Sequence, residues 1–283
     1  MIMRKLICAV LALCLACSMA ACAGGNNSSS SASESSTSEG SVVEESNSEA
    51  AEESSEAAEE SSESGAEATV LSYDEYMAAE LDSEVTIQAY VQAKQSWWED
   101  KATLYTQDQD GAYFVYDAAC SQELYDQLTP GTKIQVTGYK TEWSGEVEII
   151  DASIQIVEGG DTFVAEPLDV TELLGADTLI DHQNQLVSFK GLTVEPSQDA
   201  SGNEAAFLYS WDGSGTDGDD LYFNASYNGQ TYTFTVESYL CDNTTDVYAA
   251  VKALEIGQTI DMEGFLYWYE GVNPHITSVT VAQ

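Results

Sequence analysis

Seven aromatic residues are the side chains best placed to recognise something. Trp97 and Trp98 are adjacent in a polar segment, Tyr139 and Trp143 flank one turn, and Tyr267, Trp268 and Tyr269 run together in another. Aromatic faces held outside a core stack on sugars, on nucleobases or on another protein's apolar side chains. Neighbours in an extended segment point to opposite sides, so Trp97 and Trp98 cannot both face inward and one of them is expected as an exposed contact. Catalytic chemistry has much less to stand on. The two histidines, His182 and His275, have no cysteine or metal-ligand spacing near them, and neither a G-x-S-x-G turn nor a phosphate-cradling glycine loop occurs. No catalytic residue is assigned, no cofactor is implied, and the chain is expected not to be an enzyme. In W-D-G-S-G-T-D-G-D-D, the residues Asp212, Ser214, Thr216, Asp217, Asp219 and Asp220 supply oxygens of the kind calcium prefers. The glycine is out of register for an EF-hand loop and no glutamate closes it, so a solvated loop is expected and no metal ligand is assigned.

The aromatic turns belong to a repeat. Without a gap, Leu128, Gly131, Ile134, Val136, Gly138, Tyr139, Trp143 and Gly145 fall on Leu254, Gly257, Ile260, Met262, Gly264, Phe265, Tyr269 and Gly271. Each copy has a turn glycine, an alternating strand with a glycine where it can bend, an aromatic turn and a second alternating strand. Ahead of the first copy, Ser72 and Glu75 have capping-box spacing over a short helix. Val85, Ile87, Ala89 and Val91 alternate as a strand, 102–107 and 112–116 flank a turn at Asp110-Gly111, and a short helix spans 121–128. The second copy follows the same order: a helix near 169–174, a strand through Val187, Phe189 and Val194, a longer insertion, strands at 221–227 and 231–236 around Asn228-Gly229, and a helix near 245–254. Cys120 and Cys241 each follow a strand valine by five residues, so they are equivalent. They would pair only if the two units pack with approximate two-fold symmetry, and two buried free thiols are an equal alternative.

Five strands with a helix between the third and fourth is the order of an OB barrel. The runs D-S-E-V-T-I-Q-A-Y-V, L-Y-T-Q-D-Q-D-G-A-Y-F-V-Y and L-T-P-G-T-K-I-Q-V-T-G-Y resemble OB-type domains of secreted and lipid-anchored bacterial proteins, closely over 82–157 and loosely over 185–282. The resemblance implies an all-β fold of two tandem five-stranded Greek-key barrels, at 70–160 and 161–283, each with a short helix between strands three and four. It also implies a ligand face beside strands two and three and the loops joining strands one to two and four to five. Trp97, Trp98, Tyr139, Trp143, Tyr267, Trp268 and Tyr269 fall there. The family binds single-stranded nucleic acid, oligosaccharide and protein, so the fold does not by itself choose a ligand.

The N-terminus reads as an address. Residues 1–21 carry Arg4 and Lys5, an apolar run from Leu6 to Leu15 and small residues before Cys22, the pattern of a secretory signal. Met-Ala-Ala-Cys followed by Ala-Gly-Gly resembles a bacterial lipobox, which implies lipidation of Cys22, a membrane partner through that lipid, and a position on the extracytoplasmic face of the cell membrane. Residues 22–69 are almost wholly Ser, Glu, Ala, Gly and Asn, and E-A-A-E-E-S-S occurs twice from Glu49, so a disordered tether is expected. As a coil it would span about 40 Å. The formal net charge is -41, and after Arg4 and Lys5 only Lys94, Lys101, Lys133, Lys140, Lys190 and Lys252 are basic. No basic stripe awaits a phosphate backbone, so a carbohydrate or protein ligand is expected ahead of nucleic acid. The combined expectation is a lipid-anchored surface binding protein, with a structural or assembly subunit of an envelope complex as the alternative.

Overall fold

The structure, a computed structural model, describes residues 69–282. Cys22, the signal segment and the tether through residue 68 lie outside the described residues. The first barrel comprises α1 (Tyr73–Ala78), β1 (Glu84–Lys94), β2 (Lys101–Gln107), β3 (Ala112–Ala119), α2 (Gln122–Gln127), β4 (Lys133–Trp143) and β5 (Glu146–Ile156). Its strands pair in the order β1-β2-β3-β5-β4 and β4 closes on β1. The β3–β5 pair is parallel. Alternation sets the register: Val85, Ile87, Ala89 and Val91 turn inward, with Ile87 opposite Val136 and Ala89 opposite Ile134. Burying a large aliphatic side chain in this way contributes roughly 1.5–3 kcal/mol. The capping box of α1 is present: Ser72 Oγ accepts from the Glu75 amide, and the Glu75 carboxylate accepts from the Ser72 amide at 2.8 Å. Its other end is held by Lys140, whose buried Nζ donates to the carbonyls of Tyr76, Met77 and Ala79 at 2.8–2.9 Å. That is the charge a carbonyl-rich helix end attracts.

The second barrel contains β6 (Leu168–Asp169), β7 (Leu186–Glu195), β8 (Ser197–Gln198), β9 (Glu204–Ala205), β10 (Leu208–Tyr209), β11 (Leu221–Tyr227), β12 (Gln230–Val236), α3 (Asp246–Lys252), β13 (Thr259–Phe265) and β14 (His275–Val281). Pairing runs β7-β11-β12-β14-β13 and returns to β7, with β12–β14 parallel. The protein is therefore all-β, with two tandem five-stranded OB-type barrels, each carrying a short helix between its third and fourth strands. Both belong to one compact unit. Residues 196–220 form the insertion between the first and second strands of the second barrel. They fold as the β8–β9 hairpin followed by β10, which adds to β11 through Leu208 opposite Tyr222.

The repeat has a steric cause. Gly138 and Gly264 both lie where the fourth strand of a barrel bulges against the fifth. A Cβ on Gly138 would stand 2.7 Å from the Ile150 carbonyl oxygen, and one on Gly264 would stand 2.2 Å from that of His275. One local expectation needs correction. The helix expected near 169–174 is only a 3-10 turn, Thr171–Leu173. Asp169 Oδ1 accepts from the Thr171 amide and hydroxyl two residues on, a turn-forming bond that replaces the expected cap. The first hairpin is closed by Asp108, whose Oδ1 accepts from the amides of Asp110 and Gly111 at 2.8 Å.

Gly264→Ala is expected to destabilise the protein by about 2 kcal/mol or more, because backbone must shift. Gly191→Ala, at a positive φ of 69° but with open space around it, is expected to lose about 1 kcal/mol. Urea unfolding of the two variants would measure both, and equal losses would contradict the steric account of the repeat.

Candidate functional site

The turn between β4 and β5 and the loop between β13 and β14 are equivalent in the repeat, and they meet where the barrels touch. Trp143 and its counterpart Tyr269 pack ring to ring at 5.0 Å. A Cβ on Gly145 would lie 2.7 Å from Trp268, so only glycine admits that indole. The Glu270 amide donates to the Ser144 carbonyl at 2.7 Å. Gln183 Nε2 donates to the Gly145 carbonyl at 2.8 Å and to Glu146 Oε2 at 3.1 Å, and the Trp268 amide donates to the same oxygen at 2.9 Å. Glu146 is 0% exposed, and burial pushes its carboxyl up to about 8. Beside it lies a second seam of Tyr105, Phe114, Phe265 and Tyr267. Tyr105 stacks on Phe265 at 4.4 Å, and its hydroxyl shares a hydrogen bond with His275 Nδ1 at 2.6 Å. Burial holds His275 down to about 3, so the imidazole is neutral.

Alongside this seam runs a groove of about 1170 Å³. Lys101, Thr103, Phe114 and Tyr116 on β2 and β3 line one wall, and Tyr222, Asn224 and Thr233 on β11 and β12 line the other. These are the equivalent faces of the two barrels. The 196–220 insertion adds Ser197, Gln198, Leu208 and Trp211, and the loops add Trp98, Trp143, Tyr239, Tyr269 and Glu270. Among the described residues seven aromatic side chains are exposed, and six of them line this groove: Trp98, Tyr116, Trp143, Trp211, Tyr239 and Tyr269. Hydrophobic collapse does not account for that concentration, since a ring left in water is ordinarily a scattered exception.

The sequence-predicted residues divide. Trp98 is 68% exposed in the groove, whereas Trp97 is half-buried and its Nε1 donates to the Cys120 carbonyl at 2.9 Å. Trp143 and Tyr269 line the groove, and Tyr267 forms part of its wall from a buried position. Trp268 packs against the second core, and Tyr139 is exposed outside the groove. Tyr116, Trp211 and Tyr239 are additional. Trp211 opens the acidic W-D-G-S stretch, whose carboxylates are taken up locally: Asp212 accepts from the Ser214 amide and Asp219 from the Thr216 amide. Cys120 and Cys241 are both buried and free, so no disulfide joins the barrels.

No protein-family model and no curated protein matches the chain. Solved structures similar to it include the Ifi202 HINa domain in complex with 20-bp double-stranded DNA, at 12% identity over 71% of this chain and 98% of that one, with a TM-score of 0.32. A murine DNA-binding protein bound to double-stranded DNA is 13% identical over 70% of this chain and 96% of that one, TM-score 0.35. A Replication Protein A heterotrimer bound to single-stranded DNA is 11% identical over 71% of this chain and 49% of that one, TM-score 0.28. These likenesses concern the fold. All three are structures of DNA complexes, a finding that runs against the expectation that set nucleic acid aside as a partner.

Burial also raises the carboxyls of Glu148 and Glu237 to about 7. A carboxyl raised on folding stabilises fully below its unfolded value, near 4.5, and loses that contribution as pH climbs through the folded value. The thermal midpoint is therefore expected to fall by several degrees between pH 5 and pH 9. Glu146→Gln, which keeps an acceptor for Gln183 and Trp268, should fall less. A wild-type midpoint that is flat or rises over this range contradicts the assignment.

Proposed function

We propose that the protein is a binding module whose site is the groove between the two barrels, and that it holds its ligand by stacking flat faces on the exposed rings without transforming it. The concentration of six of the seven exposed aromatics in one groove carries this reading. Amide and hydroxyl groups of Gln95, Ser96, Gln198 and Asn273 lie among the rings, which suits a ligand with both faces and polar edges. The histidine at the groove, His275, is occupied by Tyr105 and stacked on Tyr267 at 4.2 Å, a structural role that leaves it no proton to move near neutral pH. The site further belongs, in this proposal, to a lipoprotein: Cys22 carries the lipid, and residues 22–69 hold the barrels away from an extracytoplasmic membrane face. The Met-Ala-Ala-Cys sequence and the Ser/Glu-rich composition support that part.

Tryptophan fluorescence of the full-length chain, titrated with single-stranded DNA and with neutral oligosaccharides, is expected to show a saturable change with one class. The Trp98→Ala, Trp211→Ala double variant should weaken it at least about tenfold, since stacking contributes roughly 1–3 kcal/mol per ring. A response unchanged in that variant would place binding elsewhere. Cys22→Ser is expected to move the protein from the membrane fraction to the soluble fraction of expressing bacteria, and continued membrane retention of the variant would remove the lipid from the proposal.

A further inference from the structure

We propose that the ligand of this groove carries an organic ammonium group, seated against the aromatic rings and the carboxylates of Glu237 and Glu270; this rests on the groove being the binding site. Both carboxylates line it without a cation of their own. Glu237 is half-buried beside β12, and its oxygens accept from the amides of Tyr239 at 3.1 Å and Leu240 at 2.8 Å; burial holds its carboxyl up to about 7, and a cation seated beside it would favour the charged form. The groove's single lysine, Lys101, is bound to Asp117 at 2.9 Å. The remaining lysines of the described residues are engaged outside it. Lys133, Lys190 and Lys252 pair with Asp161, Asp169 and Asp217, and Lys94 and Lys140 donate to main-chain carbonyls.

The way those lysines are held gives a second, independent observation. Lys94, Lys133, Lys140 and Lys252 each stand over a tyrosine ring, at 3.7 to 6.0 Å from its centre. The tyrosines of this protein are thus repeatedly used as seats for ammonium groups, attracted by the negative face of the ring. Among the described residues none of the six exposed rings in the groove carries one. The groove therefore offers the same seat, with carboxylates already in place, to a cation from outside. A formal net charge of -41 draws such a ligand in from a distance.

The test compares choline with 3,3-dimethylbutan-1-ol, which has the same shape without the charge, by tryptophan fluorescence of the full-length chain in mild detergent. Choline is expected to give a saturable response at a concentration at least about tenfold lower than the alcohol. The Glu237→Gln, Glu270→Gln variant should lose about that factor. Spermidine and trilysine separate a free polyamine from a basic peptide as the source of the ammonium group. Equal responses to choline and the alcohol overturn the proposal. So does a response to oligosaccharide or single-stranded DNA that no ammonium probe displaces, and in that case the groove remains a binding site. Silence toward every probe, with the tryptophans open to a soluble quencher, overturns both readings.

Discussion

The arrangement depends on one buried carboxyl. Glu146 opens β5 at the point where the β4–β5 turn meets the other barrel, and its Oε2 receives hydrogen bonds from Gln183 and from the Trp268 amide. Both donors belong to the second half of the chain. Its other oxygen, Oε1, and the Asn184 Oδ1 are buried without partners, and burial favours the protonated, neutral form of Glu146 in this dry place. A charged carboxylate there would face a large desolvation penalty with no cation to offset it. A neutral one joins the barrels through directional bonds. The relative placement of the β2–β3 and β11–β12 faces follows from this joint, and so does the width of the groove between them.

Duplication explains why the groove is lined as it is. Each barrel presents the same face, and the packing of Trp143 on its own counterpart Tyr269 sets the two faces alongside each other. The symmetry is incomplete. Cys120 and Cys241, also equivalent, remain apart as free thiols, so the pairing of counterparts is confined to the turns. The halves have diverged most between the first and second strands. The first barrel makes that connection in 95–100, whereas the second uses 196–220 and adds a wall bearing Trp211.

Much of the fold could be read before any coordinates, because its causes are local or periodic. Inward alternation at Val85, Ile87, Ala89 and Val91, the Asn228-Gly229 turn and the capping box at Ser72 each follow from a few neighbouring residues. The glycine pair at 138 and 264 marked the bulges through the repeat. The site was only half visible. Trp98, Trp143 and Tyr269 stood out through their loops, but Tyr116 lies on the outer face of a strand and Tyr239 follows one, positions that usually mean nothing. What makes them site residues is the approach of a second barrel, which depends on contacts 37 to 170 residues apart in sequence, such as Gln183 with Glu146 and Tyr105 with His275. The helix expected at 169–174 failed for the opposite reason: Asp169 found a nearer donor in Thr171 than the one a helical cap would have used.

The insertion is fastened to the barrel at its far end. Tyr248, buried on α3, donates through its hydroxyl to the Asp219 carbonyl and accepts from the Gly218 amide, both at 2.8 Å. Lys252 on the same helix pairs with Asp217. Between that anchor and β7, Leu208 is buried and Phe207 and Tyr209 pack on the second core, whereas Trp211 stands exposed, so the segment is part scaffold and part groove wall. One wall of the groove is thus shaped by the side chains this segment leaves exposed, while its buried ones hold it to the scaffold. Substitutions at its exposed positions, such as Trp211, alter the groove surface and leave the buried contacts of the second barrel in place.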